Sequence, residues 1–324
     1  MASVCLVVIY NHNYEKNIPV IKSVYEGRFS NVFQIMPFYR GDDPSVIGVY
    51  EGSYQFNGYI AQASHVFVRP EFTHYIFVSD DMVLNPRLNE TNIVKELKLD
   101  DATGLITRFK VFEDADYFSW PVGRVSTMHL NAKGNMCEWR NHMPDICEAR
   151  MRFARVGLDW RKGLSVGLYN VLRCGLRGMR QTPWYLTEIF PFSLARYLAP
   201  LFSRGRSDMP LNTDKLLYPT AWGYSDFFAV PKSAIKDFCH YCGVLAATHS
   251  FVEVSIPTAL ALACNRLSSI SDVNWKCETG VDDYSVRSKL ENDCGNSYRK
   301  LLDSFPDDYL FIHPIKLSKW KDLP

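Results

Sequence analysis

A mainly parallel central sheet flanked by helices, an α/β fold, is what this sequence predicts, and three observations predict it. Along the first third of the 324 residues, short apolar runs alternate with segments whose apolar residues recur at helical spacing, the order of a parallel sheet with helical crossovers. Residues 74–78 (His-Tyr-Ile-Phe-Val) form an apolar, aromatic-rich run, as a strand buried on both faces requires. Just past that run, after Ser79, stand the paired carboxylates Asp80 and Asp81. Ligands of open α/β sheets gather outside the carboxyl ends of the strands.

The elements follow in order. Residues 4–10 read as the first buried strand, with Asn11-His12-Asn13 as a polar turn. Residues 18–25 suit a short helix, with Pro19 tolerated in its first turn. A second strand is expected over 31–38, closed by the polar stretch 39–44. A helix is expected over 54–66, then the strand at 74–78, whose extended segment stops at Asn85-Pro86. Further on, 221–231 reads as one strand, 232–241 as a helix, 251–264 as a helix interrupted or started at Pro257, and 308–314 as a short strand ending in His313.

The middle is different. Between residues 150 and 206, eleven Arg or Lys stand against two acids, interleaved with Leu, Val, Trp and Phe. This reads as a basic helical insertion, either lying on an anionic membrane surface or turning a solvated basic face to water. Three parts are expected: 1–145, the insertion 146–210, and 211–324. The composition, 47% hydrophobic and 22% charged, supplies a sizeable core. A net charge of +1 gives no reason to expect nucleic acid, and the basic stretch carries no recognition module. Nine scattered cysteines point to reduced thiols and a cytoplasmic chain. The first apolar run lacks the basic flank of a signal peptide, and no run is long enough to span a membrane. No Gly-x-Gly-x-x-Gly or Walker loop occurs, which argues against a dinucleotide enzyme or an NTPase. Cys239-His240-Tyr241-Cys242 lacks the second pair a zinc site wants, and these cysteines are expected to be structural.

Adjacent aspartates at a strand end hold a hard cation through oxygen ligands, and the cation holds a diphosphate; the plainer use is to cap the next turn. The pair resembles the Asp-x-Asp element of GT-A glycosyltransferases, which bind nucleotide sugars through a metal. The C-terminal segment His313-Pro314-Ile315-Lys316-Leu317-Ser318-Lys319-Trp320 resembles the ending of the glycogenin-like and lipopolysaccharide galactosyltransferases, which show a His, then Lys six positions on, then Pro-Trp. His313 and Lys319 match; Trp320 follows without the Pro, and Lys316 stands at the family's Gly. The resemblance covers about the first 110 residues (a soft boundary) and residues 221–320.

The resemblance implies a GT-A-like, Rossmann-like domain with a nucleotide-sugar-binding half at 1–145 and an acceptor side at 211–324. It makes Asp81 and His313 ligands of Mn²⁺ (or Mg²⁺), with Asp80 reaching the ribose or a metal-bound water and Lys319 contacting the donor diphosphate. Tyr10 and Asn11 would meet the base or ribose, and Arg40 and Gln62 are further candidates to line the donor site. Glu253, with His249 as a substitute, would deprotonate the acceptor, and Asp226 would orient it. The implied function is transfer of a sugar from a nucleotide-diphosphate donor to a carbohydrate or lipid-linked glycan acceptor, in cell-surface polysaccharide synthesis at the inner face of a membrane. The glycogenin-like ending points to retention and Glu253 to inversion. Two other classes stay open: a non-catalytic membrane-associated binding module, and a sugar nucleotidyltransferase. The second would want a Gly-rich basic loop where Asn11-His12-Asn13-Tyr14-Glu15 stands.

Overall fold

The structure, a computed structural model, describes residues 3–111, 126–127, 130, 138–159, 218–279 and 285–323. In chain order the strands are β1 (Val4–Ile9), β2 (Val32–Pro37), β3 (Val46–Val49), β4 (His74–Ser79), β5 (Val83–Leu84), β6 (Thr103–Ile106), β7 (Phe109–Val111), β8 (Ala221–Gly223), β9 (Phe227–Pro231), β10 (Arg266–Ser269), β11 (Lys276–Glu278) and β12 (Tyr309–Ile312). The helices are α1 (Ile18–Tyr25), α2 (Phe56–Phe67), α3 (Ile93–Glu96), α4 (Ile146–Arg155), α5 (Ile235–Ala247), α6 (Val252–Ala263), α7 (Ser285–Cys294) and α8 (Tyr298–Asp303).

Seven strands form the central sheet in the order β10-β6-β9-β4-β1-β2-β3. Every neighbouring pair is parallel except those made by β9, which runs antiparallel between β4 and β6. Helices cover both faces, as the unbroken apolar strands demand. On β1 the residues alternate: Cys5, Val7 and Ile9 join the core under α2, α5 and α6, while Val4, Leu6 and Val8 join the core under α1, α7 and α8. On β4, Tyr75 and Phe77 take the first side and Ile76 and Val78 the second. Phe77 stacks on Phe228 of β9, ring centroids 4.6 Å apart, a cross-strand aromatic pair that holds the antiparallel strand in register.

The structure departs from the sequence reading at several elements. The expected strand at 221–231 is two, β8 and β9, broken at Tyr224-Ser225-Asp226. β8 pairs with β7 in a small separate ribbon, and β12 pairs with β5 and β11 in another. The main sheet itself draws on both ends of the chain: β9 and β10 complete a sheet begun by β1, β2, β3, β4 and β6. Of the basic stretch, α4 is described, capped by Asp145, whose carboxylate accepts the Glu148 amide at 2.9 Å. Two of its arginines turn toward the domain. Arg152 donates to the Leu262 carbonyl at 3.0 Å and to the Tyr241 hydroxyl at 3.1 Å, and Arg155 to the Cys264 carbonyl at 3.1 Å. Residues 160–217 lie outside the described residues, and with them most of the expected membrane surface. Among the described residues no helix is long and apolar enough to cross a membrane.

Candidate functional site

Strand direction decides what meets at one edge of the sheet. β1 and β4 are parallel with Ile9 beside Ser79, so Asn11 and the Asp80–Asp81 pair leave the sheet together, and the Asp80 amide donates to the Ile9 carbonyl at 2.9 Å. β9 runs the other way and presents its amino end at this edge: the Ser79 amide donates to the Asp226 carbonyl at 3.0 Å. β12 pairs antiparallel with β5, Ile312 beside Val83, which delivers His313 next to Asp81. The Ile315 amide then donates to the Asp81 carbonyl at 2.5 Å.

Asp80 is buried, at 9% exposure. Its Oδ1 accepts the Asn11 amide at 3.4 Å and its Oδ2 the Asn17 side-chain amide at 3.2 Å. Burial, and then the neighbouring charge of Asp81, push its carboxyl up to about 7, more than these hydrogen bonds recover. Burial also acts to raise Asp81, but the close contact with the His313 imidazolium outweighs it and leaves the carboxyl below its ordinary value. His313 shows the reciprocal effect: burial alone would lower it, and Asp81 together with the charge of Asp226 hold it above the usual histidine value. The imidazole Nε2 lies 3.0 Å from Asp81 Oδ1, yet this buried oxygen receives no well-directed hydrogen bond. The two groups are in ionic contact without being aligned as donor and acceptor.

On its other side, His313 Nδ1 is hydrogen-bonded to the hydroxyl of Tyr224. The phenol ring stacks parallel to Phe311 and meets the imidazole edge-on, and its hydroxyl also reaches the Thr279 carbonyl at 3.4 Å. Asp226, half-buried beside it, is raised by burial despite the nearby His313 charge. Glu253 stands in the first turn of α6; burial and then the charge of Asp226 push it up to about 8, opposed by Arg108. Four carboxylates, one imidazole and one guanidinium thus share one electrostatic environment.

Of the residues singled out in the sequence, Asp80, Asp81, Asp226, Glu253 and His313 come together here. Asn11 takes part through its main chain. Lys319 is exposed on the short turn Leu317–Lys319, which packs against the turn Glu15–Asn17 that follows β1. Tyr10 does not join them: it is fully buried and donates its hydroxyl to Gln34 Oε1 at 2.5 Å, so no face is left for a base. Gln62 brackets the main chain of Tyr50, accepting its amide at 2.9 Å and donating to its carbonyl at 3.2 Å. Arg40 and His249 are exposed. Cys239 and Cys242 are buried thiols on α5, both raised by burial and so poorly reactive.

Sequence reasoning missed Asn17, Tyr224, Arg108 and Thr279, which meet the site only through pairings far apart in the chain. It also missed Phe38 and Tyr50, which follow β2 and β3 at this same edge. They are 53% and 61% exposed, in edge-to-face contact at 6.0 Å. Phe38 is held with a positive φ of 57°, a costly backbone for a bulky residue.

Among the described residues no group of three or more His, Cys, Asp or Glu is placed to hold a metal ion. The donors that converge are two, an orphaned carboxylate oxygen and an imidazole nitrogen 3.0 Å apart. Adjacent ligands of an octahedral cation, each about 2.1 Å from it, stand about 3.0 Å from one another. The pair therefore fits a cation whose remaining ligands come from substrate and water. No protein-family model matches the chain, and no curated protein matches it.

Proposed function

We propose that this chain is a metal-dependent glycosyltransferase of GT-A-like fold, moving a sugar from a nucleotide-diphosphate donor to a glycan or lipid-linked acceptor. The observation that carries the reading is the meeting of Asp80–Asp81, Asp226, Glu253 and His313, from four separate places in the chain, at the carboxyl edge of a mainly parallel sheet. Asp81 through Oδ1 and His313 through Nε2 would hold the cation, and an imidazole ligand suits Mn²⁺ better than Mg²⁺. Bound there, it would act as a Lewis acid toward the departing diphosphate.

The chain's own groups supply the rest. Asp80, near the midpoint of its titration at neutral pH, both donates to and accepts from a ribose hydroxyl. Lys319 brings a mobile positive charge to the diphosphate. Phe38 and Tyr50 offer a stacking surface two and three strands from Asp81, roughly 10–15 Å away at the usual strand spacing. Glu253, once ionised, is a stronger base than an ordinary carboxylate and accepts the acceptor hydroxyl's proton. The acceptor oxygen bonds to the sugar carbon, and the electron pair of the breaking carbon–oxygen bond leaves with the nucleotide diphosphate. This favours inversion.

The 3.0 Å contact of His313 with Asp81 favours a second reading, in which the pair only fastens the C-terminal segment to the sheet. Calorimetric titration of a panel of nucleoside diphosphates, with and without Mn²⁺, separates the two. One nucleotide should bind only with Mn²⁺ present, and Asp81→Ala should weaken it by about a hundredfold or more. If the folded wild type binds none of them, the transferase reading is lost and the ion pair is structural.

A further inference from the structure

His313 is gripped on the side away from Asp81 by a residue that is itself firmly held. Tyr224 is buried, and its amide donates to the Arg108 carbonyl at 3.3 Å. Its ring lies parallel to Phe311, centroids 6.3 Å apart, and meets the imidazole edge-on at 5.8 Å. Phe311 lies on β12, two residues before His313, so the strand that delivers the imidazole also seats the phenol.

The hydrogen-bond directions follow from what each partner can do. The Thr279 carbonyl, 3.4 Å from the phenol oxygen, only accepts, so it takes the phenol proton. The phenol oxygen is then left to accept, and the His313 Nδ1 bonded to it carries a proton. A neutral imidazole has one N–H, which leaves Nε2 with its lone pair. A separate observation agrees. Nε2 is 3.0 Å from Asp81 Oδ1, yet this buried oxygen has no hydrogen-bond partner. A cation about 2.1 Å from each of two adjacent octahedral ligands lies about 45° off the line joining them. A proton on Nε2 in that same direction would meet the oxygen at about 120°, where a hydrogen bond has lost most of its strength. The unmet oxygen and the phenol contact point to the same tautomer.

We propose that Tyr224 is a positioning residue for the metal centre. Its hydroxyl, committed to the Thr279 carbonyl, accepts from His313 Nδ1 and so keeps Nε2 unprotonated and available beside Asp81 Oδ1. This role rests on the reading of Asp81 and His313 as metal ligands. It gives the histidine the outer hydrogen bond that metal-ligating imidazoles almost always make.

Two measurements test it. Two-bond ¹H–¹⁵N correlation spectra of the metal-free protein, at a pH where the ring is neutral, read the tautomer, with His313→Gln to assign the signals. Wild type should carry the proton on Nδ1. Tyr224→Phe keeps the stacked ring and should lose that preference. Electron paramagnetic resonance of added Mn²⁺ alone then reads metal binding, which Tyr224→Phe should weaken by about 10–100-fold. Thermal melts establish that the variant is folded. A wild-type ring protonated on Nε2, or Mn²⁺ binding that Tyr224→Phe leaves unchanged, would overturn the role of Tyr224 while the metal site stands. A wild type in the expected tautomer that binds no Mn²⁺ would overturn the metal reading, and the positioning role with it. If Tyr224→Phe does not fold, the wild-type spectrum still decides the tautomer.

Discussion

Asp80 keeps its proton where an ordinary aspartate has lost it, because burial and the charge of Asp81 act in the same direction. Its folded-state value, about 7, lies above that of the unfolded chain, so between about pH 4 and 7 the folded protein binds more protons and stability falls as pH rises. Asp80→Asn removes that dependence, and its amide can donate to Asn17 Oδ1, a buried oxygen without a partner. In urea unfolding, wild type should lose stability between pH 5 and pH 8, and the variant should lose less, by on the order of 1–3 kcal/mol. An equal loss in both would show that Asp80 is not held in this way. At this scale the sequence was partly legible. Asp80 and Asp81 stood out because strand-end carboxylates are conspicuous in a short stretch. Tyr10 misled, because a tyrosine at a strand end reads the same whether it faces a ligand or the core. Tyr224 carried no local signal, since its partner His313 is 89 positions away.

Among the elements, the break between β8 and β9 shapes the site. Gly223 ends β8, where an added Cβ would collide with the backbone oxygen of Arg108, and that oxygen accepts the Tyr224 amide at 3.3 Å. Gly223→Ala should cost about 1–3 kcal/mol and displace Tyr224, read as a lower melting temperature. Gly27→Ala, where an added Cβ meets nothing within 4 Å, should change little and serves as the control. The strands β1, β2 and β4 and the helices α1, α2 and α6 lie close to where the apolar pattern places them, because each is long and periodic. The short strands β3, β5, β7 and β11, of two to four residues, carry too few residues for a period to show and exist through their partners. The break at 224–226 is marked in the sequence only by Ser225-Asp226 between two apolar runs, and Tyr224 is buried like a strand residue.

For the molecule as a whole, the C-terminal segment acts as a clasp. Ile315, Leu317 and Trp320 are buried in the same core as β1 and α1, and His313 reaches the acidic edge from it. A chain ending at Ile312 keeps all seven strands of the main sheet but exposes that apolar surface. It should melt lower, with an intact circular dichroism spectrum, and bind no nucleotide in response to Mn²⁺. The sequence announced this segment through His313 and Lys319, but not the path that brings it across the sheet, since that path depends on the two-residue strand β5.

The position of β9 also sets the order in which the protein can be made. β4 and β6 leave the ribosome early, but the strand that lies between them is residues 227–231. Until it emerges, one edge of β4 has no hydrogen-bonding partner for Tyr75–Val78, a run of fully buried apolar residues. Unpaired apolar edges recruit other chains, and a nascent chain must hold this one open through the synthesis of about 150 residues, roughly 10–30 seconds at about 5–20 residues per second. The acidic centre, whose neighbour Asp226 arrives with β9, is therefore absent for as long as the sheet is incomplete.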